Sequence, residues 1–284
     1  MIHPSAVIPE TFPAKPPLPF AMRHAVLLAA ALALASALSG QVNYGPSYTA
    51  AGIVNAADNQ PGPLAPNTIA SIYGVRLSYV TQAISPNDID GGVLPTVLPG
   101  TGVHVLVGNL PATIYYVSPD QINFLVPANL LPAPSTVQVV LEGQAGPAVQ
   151  ITLAAASPAL FQLDDVNAVA ILPDGTVITP QAPAKPGDII LLYATGLGQT
   201  LPPVPYGQVF DQAAPLEQLA DFKLVLDGVT AESDAVAYAG IAPGFAGLYQ
   251  INVILPKSTQ ANPEIQIGFG KQLSKAGIHL PVAL

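Results

Sequence analysis

The sequence predicts an all-β chain made of two tandem sandwiches, and three observations predict it. A twelve-residue block recurs at a shift of 120, and short aliphatic or β-branched runs alternate with glycine and proline along the chain. No segment after the N-terminal leader combines a helical apolar period, helix-forming composition and caps over ten or more residues.

The repeat comes first because it sets the domain number. Pro66 to Leu77 aligns without a gap to Pro186 to Leu197, with the proline, isoleucine, tyrosine and final leucine coinciding. Gln121-Ile122-Asn123 through Pro127 matches Gln250-Ile251-Asn252 through Pro256, now at a shift of 129, so nine extra residues lie between the blocks in the second copy. Two copies of one domain follow: residues 42–156 and 157–284, after a leader at 1–40. Tyr73 and Tyr193 hold the same repeat position and are expected to pack, whereas Tyr44, Tyr48, Tyr79 and Tyr206 are expected at the surface.

Within each copy, Gly102 to Gly108, Ile114 to Val117, Thr136 to Leu141 and Phe222 to Leu226 are strand-like runs bounded by turn residues. Strand side chains alternate between faces, so Val103, Val105 and Val107 belong to a core face and His104 and Leu106 to the other. Pro215 to Leu219 is the one place where a short helical turn is expected.

Composition bounds the rest. Half the residues are hydrophobic, 9% are charged and the net charge is −9. Such a chain buries a core, and with Arg76 as its only arginine beyond the leader it offers no basic face to a nucleic acid. Cysteine is absent, which excludes disulfides and thiolate chemistry. Met22-Arg23-His24 followed by the apolar run Ala25 to Leu38 reads as a secretory signal peptide, with translation starting at Met22. The run is too short to anchor in a bilayer, where about 20 apolar residues are needed. A secreted protein is expected, in the periplasm, on the surface or in the medium, with no membrane insertion once the signal is cleaved.

Pro186-Gly187-Asp188-Ile189 through Gly198 resembles the opening strand and glycine turn of IPT/TIG domains, which are immunoglobulin-like sandwiches. Val103 to Ala112, followed by Tyr116 to Asn123, resembles the next hairpin and strand of that family. More closely, Val54-Asn55-Ala56-Ala57, Tyr116 to Val126, Leu192 to Gly198 and Ala242 to Val253 together resemble an uncharacterised C-terminal domain family of secreted acidobacterial proteins. The resemblance spans roughly residues 50 to 284 and implies an immunoglobulin-like fold and export, with no activity attached.

Few residues suit catalysis. His104 and His279 are the only histidines beyond the leader, both read as structural, and no Gly-x-Ser-x-Gly elbow accompanies them. Asp88 and Asp90, in the loop Asn87-Asp88-Ile89-Asp90-Gly91-Gly92, are the best candidate calcium ligands, although the remaining ligands of an EF-hand are missing and a solvated turn explains the loop more simply. Asp164-Asp165 and Glu232-Ser233-Asp234 are shorter acidic clusters of the same kind. Gly196-Leu197-Gly198 lacks the third glycine and the later acid of a dinucleotide site and reads as a turn. The expected function is a non-catalytic extracellular or cell-surface interaction or structural module, its partner an extracellular protein or polysaccharide that the sequence does not identify. A polysaccharide-binding module, tyrosine-lined and assisted by calcium, is the alternative, with the exposure of Tyr79 and Tyr206 as its discriminator. A glycan-active hydrolase, the third class, would need carboxylates, or a carboxylate and His104, converging in a pocket.

Overall fold

The computed structural model describes residues 45–284. The expected signal peptide, Met22 and Tyr44 lie outside the described residues. Every strand pairing is antiparallel, and the described residues hold no α-helix, only short 3-10 turns.

In the first sandwich one sheet begins with β1 (Ser47–Asn55), β2 (Ile69–Val75) and β3 (Gln82–Ala83). The facing sheet begins with β4 (Val103–Val107) and β5 (Leu110–Pro111). Then β6 (Thr113–Val117) and β7 (Gln121–Leu125) return to the first sheet, giving the order β1-β2-β7-β6-β3. Finally β8 (Pro134–Leu141), β9 (Gln144–Ala145) and β10 (Val149–Thr152) complete the second, in the order β10-β8-β4-β5.

The second sandwich repeats the plan. Its larger sheet contains β11 (Ala159–Leu160), β12 (Ala170–Ile171), β13 (Ile189–Thr195) and β14 (Ala214–Pro215). The smaller sheet opens with β15 (Phe222–Leu226) and β16 (Val229–Thr230), after which β17 (Val236–Ile241) and β18 (Tyr249–Ile254) return to the larger. β19 (Ile265–Phe269) and β20 (Gln272–Leu273) finish the smaller sheet.

The alternation read from the sequence is realised in β4, where Val103, Val105 and Val107 are fully buried and His104 faces solvent. Each sandwich closes on its own apolar core, one around Phe124, Ile72 and Val139, the other around Tyr249, Ile251 and Ile267. Turn chemistry fixes the registers. Glu142-Gly143 and Asp227-Gly228 each supply two consecutive positive φ angles between strands paired across a two-residue loop, the turn whose twist matches a hairpin. The helical turn expected over Pro215 to Leu219 falls instead at Leu219–Asp221, because Pro215 is already paired in β14 with Gly240.

Asp58, in the turn after β1, is half-buried and its carboxylate accepts from the Gln60 amide at 3.0 Å. Burial raises its pKa above 3.8, with the Gln60 amide and the charge of Lys275, from the second sandwich, opposing. A raised carboxyl pKa means that the unfolded chain ionises first, so folding loses stability as pH rises through the ordinary carboxylate value. Asp58→Asn keeps the acceptor and removes the charge. The expected result is a higher Tm at neutral pH and a difference that vanishes in acid, read by thermal melts across pH.

Candidate functional site

The two sandwiches are joined by a built interface rather than a bare linker. Ser157 is a hub: its amide donates to the Gly196 carbonyl at 2.7 Å, its hydroxyl to the Pro63 carbonyl at 2.6 Å, and its carbonyl accepts from the Asn55 side chain at 3.3 Å. Thr195 Oγ1 accepts from the Ile69 amide at 2.9 Å and donates to the Gly247 carbonyl at 2.8 Å. The Tyr115 hydroxyl donates to the Ala246 carbonyl, and burial raises its pKa, with the Tyr206 hydroxyl adding to the effect.

Tyr206, expected at the surface, is the centre of this interface. Its hydroxyl accepts from the Thr113 amide at 2.6 Å and lies 3.1 Å from the Leu125 carbonyl and 3.3 Å from that of Pro111. Those partners belong to strand ends of the first sandwich, so a polar group taken from water is fully re-paired there. Around it, Leu94, Leu125 and Ala246 form a small third core, flanked by Ile69, Tyr115 and Val209. Backbone pairing extends the seam, with Leu94 donating to Gly207 at 2.9 Å and Val209 to Gly92 at 2.8 Å.

The other tyrosines also depart in part from expectation. Tyr48 is buried, accepting from the Val139 amide at 2.7 Å, so it belongs to the core rather than the surface. Tyr79 is exposed, as expected, at 60%. Tyr73, expected to pack, is 40% exposed on the outer face of β2, opposite Gln121. Beside it Ser71 and Gln121 both donate to the Asn123 side chain, at 2.9 and 2.8 Å, and Tyr116 stands across from Asn123. The second sandwich repeats the pattern, with Tyr193 opposite Gln250 and Gln250 donating to Asn252 at 2.7 Å.

Asp88 and Asp90 lie on the connection that leads to the interface. Asp88 Oδ2 accepts from the Ser85 amide at 2.8 Å and from the Ser85 hydroxyl at 2.7 Å, closing the 3-10 turn Pro86–Asp88. Asp90 is exposed and bridges through its backbone to Val93. Asp164 closes its own exposed turn, accepting from the Val166 amide and from Asn167, whose hydrogen bonds hold its pKa below the ordinary value. Among the described residues no three His, Asp or Glu side chains gather as a metal set. His279 is half-buried with Nδ1 3.0 Å from the Asn262 carbonyl.

A concavity of about 620 Å³ lies in the second sandwich at the end of β18 remote from the first. Its floor includes Leu226, Val229, Ile254 and Leu255, and Asp227, Glu232, Asp234 and Lys257 stand around it. One wall is the 3-10 turn Ser233–Ala235, part of the extra chain that the second copy carries between β16 and β17. No histidine lines the cleft, and His104 is on the other sandwich, so the acid-histidine pair that hydrolysis would use is not assembled there. Sequence reasoning missed this site because its lining comes from three separate stretches of chain, at Gly187, around Leu226 to Ala235 and around Ile254 to Pro263; the only signal was the lengthened second copy.

Among the described residues, no helix is long and apolar enough to cross a membrane. No family model matches the sequence, and no curated protein does. Among solved structures, the chain is similar to the mixed-linkage glucan utilization locus protein SGBP-B of Bacteroides ovatus, in complex with a mixed-linkage heptasaccharide, at 10% identity and a TM-score of 0.35. That match covers 86% of this chain and 47% of the other. The surface glycan-binding protein of Prevotella bryantii matches at 10% identity and a TM-score of 0.26, over 82% of this chain and 42% of that one. Domains 5-6 of the S-layer protein SbsC match at 8% identity and a TM-score of 0.27, over 84% and 98%. This chain therefore spans less than half the length of the first two proteins, and these likenesses assign it neither ligand nor activity.

Proposed function

We propose that the chain is a non-catalytic extracellular module that acts as a rigid unit, holding two immunoglobulin-like sandwiches in one fixed relation and presenting contact surfaces at its ends. The observation that carries this reading is the interface itself. A flexible linker needs no tyrosine anchored in the neighbouring sandwich, whereas here the Tyr206 hydroxyl, the Thr195 hydroxyl and the Ser157 backbone all bond across the seam around a separate apolar cluster. Rigidity matters to an interaction module because ordering two free domains on binding costs entropy that a preformed unit has already lost. Small-angle scattering of the purified protein tests it. A single compact two-lobed particle is expected, and a distribution of inter-lobe distances would remove the reading.

A second reading, polysaccharide binding, is favoured by the outer face of the first sandwich, where Tyr73 is exposed beside the Ser71, Gln121 and Asn123 side chains. Aromatic faces flanked by amide and hydroxyl groups suit a sugar ring, which offers both C–H patches and hydroxyls. Tyr206 takes no part in it, being committed to the interface. On a glycan array, binding that drops about tenfold in Tyr73→Ala is expected, because the variant removes one ring on which a sugar stacks. Binding that persists unchanged in that variant would place sugar recognition elsewhere.

A further inference from the structure

The distal cleft is the second sandwich's counterpart of the surface on which the first sandwich receives its neighbour. Hydrogen-bond register establishes the correspondence. Ile69 pairs with Leu125 as Ile189 pairs with Ile254. The Asn67 amide donates to Val126 as that of Gly187 donates to Leu255, and Ala112 to Val105 as Ala231 to Leu224. In this register Pro111, Leu125 and Ala128 of the first sandwich stand where Thr230, Ile254 and Lys257 stand in the second. Tyr206 meets Pro111 and Leu125, and the Gln199 side chain donates to the Ala128 carbonyl at 2.9 Å. All three counterparts line the cleft.

Coverage differs accordingly. Leu125 is 1% exposed and Ile254 is 41%; Ile69 is half-buried and Ile189 is 49% exposed. The second copy thus keeps an open apolar socket of Ile189, Val229 and Ile254 at a place where this fold has already shown what fits, the end of a sandwich like itself. The end of the first sandwich remote from the interface offers such a surface. Thr195, buried in the covering end of the second sandwich, corresponds through the repeat to Val75, which is exposed, and Tyr79 and Val80, both exposed, follow on the connection that corresponds to the one bearing Tyr206. The cleft is acidic on balance, with Asp227, Glu232 and Asp234 against Lys257, and Arg76 lies on the same connection as Tyr79.

We infer that the chain associates with a second copy of itself head to tail, the Tyr79-bearing end of one molecule seating in the distal cleft of the next. The two contacting surfaces differ, so the contact does not close on itself at two and extends into rings or filaments. This deepens the reading of the chain as a rigid surface unit and rests on it. A flexible monomer in scattering would undo that reading, whereas a rigid particle that never associates would undo only this one.

Sedimentation velocity of protein expressed with its own leader tests the inference, with mass expected to grow with concentration beyond the dimer. Val229→Lys and Tyr79→Asp alter exposed side chains, so both proteins should melt like the parent while each weakens association about 100-fold. Because the chain has no cysteine, a short bismaleimide gives the geometry. Tyr79→Cys alone and Val229→Cys alone should stay uncross-linked, their mixture should yield dimers, and the double variant a ladder. A monomer at every concentration, association untouched by both charge variants, or dimers from one single variant would each overturn the inference.

Discussion

Gly196→Ala is expected to lower the melting temperature by about 10 °C, since about 3 kcal/mol of lost stability moves a domain of this size by a few degrees per kcal/mol. Two costs combine. Gly196 sits at φ +78, where an L side chain loses about 1–2 kcal/mol. Its new Cβ would also overlap the Ser157 carbonyl oxygen and press on Thr68 Oγ1, and forcing packed atoms apart costs about 1–3 kcal/mol. Gly175→Ala separates the two. That glycine has φ +88 with nothing near its Cβ position, so its variant carries only the backbone cost. Equal melting shifts for the two variants would show that the Ser157 carbonyl yields freely.

The second large effect belongs to Tyr206. Truncation to alanine removes a mostly buried ring and strands the Thr113 amide and the Leu125 carbonyl, for a combined cost of about 4 kcal/mol. That energy lies between the sandwiches, so calorimetry should show one cooperative transition in the parent and two in Tyr206→Ala. Tyr206→Phe keeps the ring and drops the hydroxyl, and about 1–2 kcal/mol is expected. A Tyr206→Ala protein that still melts in one step at the parental temperature would mean that the seam contributes nothing to coupling.

The strands were legible because their cause is local: alternation in Val103 to Val107 and the turn residues Glu142-Gly143 need no knowledge of the rest of the chain. The repeat was legible for the same reason, but its meaning at Tyr73 was not. The shared position of Tyr73 and Tyr193 reflects an equivalent outward place opposite Gln121 and Gln250, and sequence identity does not distinguish inward from outward equivalence. Tyr206 was illegible on different grounds. Pro205-Tyr206-Gly207 looks like any surface loop, and the groups that bury it lie about a hundred residues away. The nine additional residues of the second copy were visible as a shift between blocks, yet their use as part of a cleft wall and as the loop that sets Ala246 against the first sandwich depends on how the two domains meet.

The small third core has a consequence in time. A chain is made from its N-terminus, and a domain folds as a unit once it has emerged. The first sandwich can close on Phe124 and Ile72 when residues up to Thr152 are available, but Leu125, Ile69 and Tyr115 gain the rest of their cover from Thr195, Tyr206, Val209 and Ala246 of the second. Between those moments the half-made protein displays a bare apolar end shaped for a tyrosine loop. Once two such molecules side by side have each made the loop, either loop fits the other's bare end, and exchange between them is then as favourable as self-closure. Slowing synthesis within the second sandwich should therefore raise the yield of swapped dimers, while a faithful monomer depends on that interval being short.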